Sequence, residues 1–193
     1  MGEKTVLLHT CCAPCSSAII EALMQNGITP VIYYCNPNIY PQEEYEIRKN
    51  ECTRYAQSLG LEIVDADYDH ENWLDAVKGL ENEPERGGRC LKCFKLRLLR
   101  TAQYASERGI KVITTTLASS RWKSLDQINE AGLWACRQLT ARRSSAAPHD
   151  EVIWWDQNWR KGGLQERRLQ IIKEYDFYNQ LYCGCEFSIR KED

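Results

Sequence analysis

The order of apolar and amphipathic stretches constrains this chain more than any other feature. TVLLHT (5–10), TPVIYYCN (29–36), LEIVDADYD (61–69), KVITTTL (111–117) and EVIWWD (151–156) are short runs with the apolar and β-branched content of buried strands. Stretches with helical spacing separate them. SSAIIEALMQNG puts Ile19, Ile20, Leu23 and Met24 on one face, with Ser16 or Ser17 near the N-cap and Gly27 just past the end. PQEEYEIRKNECTRYAQSLG starts on Pro41 and stops at Gly60. ENWLDAVKGL is expected as a short helix and CFKLRLLRTAQYASERG as a longer one through Phe94, Leu98, Ala102 and Ala105. LDQINEAGLWACRQL and LQERRLQIIKEY supply two more. This alternation predicts an α/β fold, a parallel sheet covered by helices on both faces. No internal repeat is present and ARRSSAAPHD reads as a loop, so residues 1–193 are expected to form a single domain.

At 193 residues and 43% hydrophobic content the chain is long enough to bury a core. Its first apolar run is too short for a signal peptide, and no window approaches the roughly 18 apolar residues of a membrane span. A cytoplasmic location with no membrane partner is therefore expected. In that reducing compartment ten cysteines point to metal ligation or redox catalysis rather than to a disulfide framework. Cys35, Cys52 and Cys136 stand alone and read as small buried hydrophobes. The other seven fall into three clusters: Cys11, Cys12 and Cys15; Cys90 and Cys93; Cys183 and Cys185.

The first cluster lies at a strand-to-helix turn, where open α/β sheets bind their ligands and where helix N-termini favour negative charge. Backbone amides and the helix dipole favour thiolate over thiol there, as metal binding and nucleophilic chemistry both require. GGRCLKCF adds a Cys-x-x-Cys pair 75 positions after Cys15, so the two clusters can meet only through tertiary folding. A closed structural zinc site commonly holds its pairs on hairpins about 15–20 residues apart. With His9, His70 and His149 as the only histidines, imidazole-based zinc hydrolysis is poorly supported. An all-thiolate site fits zinc or an iron–sulfur cluster, and thiolates beyond four favour the latter. A thioredoxin-like reading of Cys12-x-x-Cys15 leaves Cys90 and Cys93 without a role.

In YCGC (182–185) two cysteines one residue apart can close only a small, strained bridge, which would be labile rather than structural. Gly184 makes the tight geometry feasible. As a dithiol the pair would store two electrons; the alternative is a further pair of metal ligands. The net charge of −2 does not mark a generic nucleic-acid binder. Its distribution is uneven, however: residues 62–85 carry nine carboxylates against one lysine, and residues 137–173 carry eight Lys or Arg against four acids. Arg142, Arg143, Arg160 and Lys161 lie in that basic stretch beside Trp154, Trp155 and Trp159. Basic residues interleaved with aromatics can grip phosphates and stack unpaired bases of an RNA loop. A solvated helix face with core tryptophans is the plainer alternative.

LHTCCAPCS, NPNIYPQEEYEIRKNE, RCLKCFKLRLLRTA, ITTTL and YCGCEFS, in this order and over most of the chain, resemble the QueH-type epoxyqueuosine reductases. The resemblance implies the last step of queuosine synthesis, reduction of the epoxide of epoxyqueuosine at the wobble position of tRNA, by a cobalamin-independent enzyme. It also implies a 4Fe-4S cluster held by Cys11, Cys12, Cys90 and Cys93, and a redox-active disulfide at Cys183 and Cys185. Cys15 is surplus to that ligand set and could hold a second metal ion, iron, beside the cluster. The implied fold is a Rossmann-like, nucleotide-hydrolase-like three-layer domain with CCAPC where a pyrophosphate loop would lie. The chain departs from the family pattern at Arg121 and Asn158, where proline and aspartate are usual. Implied partners are tRNA and an electron donor whose identity the sequence leaves open. The competing functions are a non-enzymatic zinc or iron–sulfur module and a thiol oxidoreductase acting on proteins.

Overall fold

The computed structural model describes residues 4–142 and 151–189. The elements follow in the order β1 (Thr5–Thr10), α1 (Ala13–Gln25), β2 (Thr29–Tyr34), α2 (Gln42–Ser58), β3 (Ile63–Asp65), α3 (His70–Val77), α4 (Gly88–Glu107), β4 (Val112–Thr115), α5 (Leu125–Arg142), β5 (Ile153–Trp154) and α6 (Leu164–Glu174). All strand pairs are parallel, in the order β3-β2-β1-β4-β5. Leu8 lies opposite Ile32 and Thr114, and Ile113 opposite Leu7 and Trp154.

β1 is central because it is apolar on both sides: Val6, Leu7 and Leu8 are fully buried, as a parallel strand covered by helices demands. The outermost strands, β3 and β5, are short and partly exposed. The chain winds outward through α1 and α2 to β3, then returns across β1 to β4. Right-handed crossovers then place α1 and α2 on one face and α4 and α5 on the other. α6 packs on α1 and α5 on α4, completing a three-layer α/β fold as the alternation predicts. The core runs through Leu7, Ile19, Ile20, Ile32, Leu98 and Ile113.

Two helices start earlier than their periodicity implies. α1 begins at Ala13, not near Ser16: Cys12 takes the N-cap position and Pro14 sits in the first turn, where a missing N–H costs nothing. Ser16 and Ser17 are buried inside the helix, and Ser16 donates back to the Cys12 carbonyl at 3.0 Å. α4 begins at Gly88, not Cys93, because the Glu83 carboxylate accepts from the Gly88 amide and caps the new end. A Cβ on Gly87 would lie 2.6 Å from that carboxylate and 2.9 Å from the Pro84 carbonyl oxygen, so a side chain there would push the cap and the turn backbone aside. Both shifts put cysteines at helix starts: Cys15 in the first turn of α1, Cys90 and Cys93 at the start of α4.

Candidate active site

The direction of winding reverses between β1 and β4, and the carboxyl ends of those strands border a cavity of about 1130 Å³. Cys11, Cys15, Cys90, Cys93, Cys183 and Cys185 all line it. Cys12, the seventh clustered cysteine, is buried beside Cys11. Thus three clusters separated by 75 and 90 positions of sequence reach one cavity.

Cys11, Cys12 and Cys15 form the tightest group, with all three Sγ atoms within 4.8 Å of one another. The Cys11 and Cys12 sulfurs are 3.9 Å apart. A tetrahedral metal with thiolates at about 2.3 Å holds its sulfurs roughly 3.8 Å apart, so the spacing suits metal ligation. Hydrogen bonds from the Cys12 and Cys15 thiols hold Cys11 well below the usual thiol range, while burial pushes Cys12 well above it. Cys15 is pushed up to about 12, chiefly by its hydrogen bond to Cys11. Of the three, Cys11 gives up its proton most readily, and metal binding has to displace the protons of its neighbours. Gln180 reaches the group from the C-terminal segment, donating from Nε2 to Cys12 Sγ at 2.9 Å, and its buried Oε1 has no partner. Soft thiolates beside an unpartnered carbonyl oxygen form a donor set that fits a bound metal.

Cys90 and Cys93 enter from α4. Burial pushes the Cys90 thiol up, and its sulfur accepts from the Arg86 amide at 3.3 Å. Arg97, one helical turn after Cys93, brings Nη1 to 3.9 Å from the Cys93 sulfur and is itself buried. Burial opposes its charge, but Cys93 and Cys11 hold it fully protonated. Its other donors go to the Cys35 carbonyl and Asn36 Oδ1.

The segment carrying Cys183 and Cys185 is strapped over the cavity. Tyr40 donates its amide to the Gly184 carbonyl at 2.8 Å, and Arg48 donates to the Tyr182 and Cys183 carbonyls, both at 3.2 Å. Both cysteines are free thiols. Burial raises Cys185 to about 12. Crowding at the cavity wall raises Cys183 as well, but the Lys123 ammonium, 3.2 Å from its sulfur, overcomes this and leaves Cys183 below the usual thiol range.

The lining carries eight cationic side chains and one carboxylate, Glu85. Such a cavity favours an anionic ligand such as a phosphodiester chain. Of the basic residues singled out by sequence, Arg160 lines the cavity and donates from Nη2 to the Ser120 and Lys123 carbonyls, at 2.6 and 2.8 Å, while its buried Nε has no partner. Lys161 is exposed nearby. Arg142 ends α5, with its side chain outside what the structure describes; Arg143 and His149 lie outside the described residues. Trp154 and Trp159 are buried and do core work. Trp154 lies so close to Gly132 that a Cβ there would come within 2.2 Å of the indole. Among the described aromatics Trp122 is the most exposed, 66% accessible at the cavity mouth with the Arg121 guanidinium over its ring.

Sequence reasoning missed Lys123, Gln180, Arg48 and Trp122. Arg97 carried a usable signal, its four-residue spacing from Cys93 on a helix.

The family model for the epoxyqueuosine reductase QueH matches residues 6–191. The chain belongs to the QueH epoxyqueuosine reductase family. The epoxyqueuosine reductase QueH of Histophilus somni is 48% identical over 98% of this chain and 74% of its own length. That of Haemophilus influenzae is 47% identical over 98% of this chain and 73% of its own. The more distant QueH of Thermotoga maritima, at 33% identity, is covered over 90% of its length. QueH proteins are oxidoreductases, and the resemblance carried by CCAPC, CLKC and YCGC is thereby borne out as a family relationship. Among the described residues no helix is long and apolar enough to cross a membrane.

Proposed function

We propose that this chain reduces epoxyqueuosine to queuosine at the wobble position of tRNA, using an iron–sulfur cluster and the Cys183/Cys185 dithiol. The observation that carries the reading is the meeting of all three cysteine clusters on one cation-lined cavity at the switch point of the sheet. The reaction removes an epoxide oxygen as water and leaves an alkene, which consumes two electrons and two protons. Cys11, Cys12, Cys90 and Cys93 would hold a 4Fe-4S cluster, and Cys15 a second metal ion, iron, beside it; the compact Cys11/Cys12/Cys15 group supports that extra position. Bound there, the metal centre supplies electrons and a Lewis acid for the epoxide oxygen.

The remaining work falls to the chain. Cys183 and Cys185 supply the two-electron reserve, oxidised to a disulfide and reduced again by an external donor. Arg97, buried and charged, offsets the negative charge of assembled thiolates. Arg86 and Arg121 at the mouth, together with the exposed Lys161 and with Arg142 and Arg143, would meet phosphates, and Trp122 offers a face on which a loop base can stack.

Anaerobic purification followed by iron and sulfide analysis, with mass analysis of nucleosides from treated epoxyqueuosine-containing tRNA, tests the reading. Iron and sulfide together with queuosine formation are expected. Zinc in place of iron, with no product, would return the chain to a non-enzymatic metal module.

A further inference from the structure

The cavity lining offers few groups able to hand a proton to a leaving oxygen. Arginine guanidiniums stay protonated in proteins, and several of those in the lining already hold protein oxygens. Arg89 is held by the Glu81 and Glu83 carbonyls, Arg48 by Glu44, and Arg160 by Ser120 and Lys123. The Tyr182 hydroxyl donates to the Tyr40 carbonyl. Glu85 is exposed at the rim. Among the lining residues Lys123 remains, a cation whose proton can leave. Its Nζ lies 3.2 Å from Cys183 Sγ, and its backbone is fixed by the Lys123 amide donating to Ser120 O at 3.3 Å and by Arg160 on its carbonyl.

We propose that Lys123 is the proton donor to the epoxide oxygen: its ammonium pairs with the Cys183 thiolate in the reduced protein and releases its proton once that thiolate is oxidised. This rests on the reading of the reaction given above. In the reduced state Cys183 is a thiolate, Lys123 an ammonium and Cys185 a thiol. Cys183 and Cys185 together lose two electrons and form one S–S bond. Both C–O bonds of the epoxide break, a C=C bond forms, and the oxygen leaves as water with one proton from Lys123 and one from the Cys185 thiol. Charge balances, since an ion pair and a thiol become a disulfide and a neutral amine. An external dithiol then returns two electrons and two protons and restores the starting state. The coupling has a simple electrostatic cause. Burial works against the Lys123 charge, but the Cys183 charge 3.2 Å away outweighs it and, with Cys11, holds the proton above the ordinary lysine range; oxidation removes the Cys183 charge when the oxygen needs the proton.

Lys123→Arg and Lys123→Met separate the two roles. Each variant, purified anaerobically and checked for iron content, is pre-reduced and given one equivalent of epoxyqueuosine-containing tRNA, and queuosine is followed over a single turnover. In parallel, iodoacetamide labelling of Cys183 at neutral pH is mapped by peptide mass. Lys123→Arg should keep wild-type labelling, because a cation still faces the sulfur, yet form queuosine about 10²–10⁴-fold more slowly for want of a transferable proton. Lys123→Met should lose both labelling rate and product at unchanged iron content. Queuosine formation by Lys123→Arg within threefold of wild type would overturn the inference while leaving the reaction standing. Wild-type labelling in Lys123→Met would overturn the ion pair. Absence of queuosine from the wild-type protein would overturn the reaction itself, and the proton donor with it.

Discussion

The Arg48 guanidinium donates to the backbone carbonyl of Cys183 at 3.2 Å, joining residues 135 positions apart in sequence. The same group is paired with Glu44 at 2.7 Å, and the two side chains are only 2% and 9% exposed. Burial works against the Arg48 charge, but the hydrogen bond it donates to the Glu44 carboxylate raises its pKa. Removing one member of such a buried pair leaves the other uncompensated, at a cost of about 3–5 kcal/mol. Arg48→Met should therefore lower stability by that order in urea unfolding, and adding Glu44→Gln should recover part of the loss. Equal midpoints for the single and double variants would show that the pair is not the source.

Gly184 makes the strap possible. Its φ of +109 lies where side-chain-bearing residues rarely go, and a Cβ would meet Ile39 Cγ1 at 2.9 Å and Arg48 Nη1 at 3.0 Å. Gly184→Ala should cost on the order of 1–3 kcal/mol through backbone strain, with further loss from displacing Arg48. Gly109→Ala, at φ +69 with open space around it, isolates the backbone component. If thermal midpoints show the two variants equally destabilised, the contact with Arg48 carries no weight.

Much of this fold is legible in the sequence because each element carries its own period. Each of the five strand runs contains a strand and each of the six helical stretches a helix, although β3 and β5 keep only three and two residues of their runs and Thr116–Ser119 forms a 3-10 helix. The misplaced starts of α1 and α4 have local causes that periodicity does not register: Pro14 inside a first turn, and a Glu83 cap five residues before Gly88. Which side chains meet in the cavity was legible only in part. Cys11 to Cys15 follow a central strand and so belong at the switch point, but Lys123 meets Cys183 across 60 residues and Gln180 meets Cys12 across 168. No spacing rule reaches so far. The tryptophans of the basic stretch misled for a related reason, since composition cannot see that Gly132 leaves room for Trp154 in the core.

Cys90→Ser should lose iron and activity together, because Cys90 stands on the cavity wall as a proposed ligand. Cys136→Ser, a half-buried cysteine on α5 remote from the clusters in sequence, should retain both. Iron per chain, measured beside queuosine formed, decides. Full iron in Cys90→Ser would remove that residue from the ligand set.

At the cavity mouth Trp122 and Arg121 should contribute differently to tRNA affinity. A stacked base is worth about 1–3 kcal/mol, largely independent of salt. A phosphate contact acts through counterion release and steepens the salt dependence. Trp122→Ala should therefore weaken binding by that amount with an unchanged slope of log affinity against log salt. Arg121→Ala, like Arg142→Ala combined with Arg143→Ala, should flatten the slope. Fluorescence anisotropy with labelled tRNA across a salt series reads both quantities. Unchanged affinity of the Trp122 variant would return this indole to ordinary exposed surface.

The last expectation concerns the strap itself. Cys183 and Cys185 sit on one irregular segment held by Tyr40 and Arg48, and Cys183 faces a lysine rather than the compact sulfur group. That placement suits electron delivery better than metal ligation, since a ligand sulfur would be expected among the other thiolates. Cys183→Ser should accordingly keep the iron content and visible absorbance of the wild-type protein. It should nevertheless fail to complete multiple turnovers on epoxyqueuosine-containing tRNA, because serine cannot form the disulfide that releases two electrons. Iron per chain is measured beside queuosine per chain by mass analysis of released nucleosides. Loss of iron would make Cys183 a ligand, and wild-type turnover would mean that electrons reach the epoxide by another route.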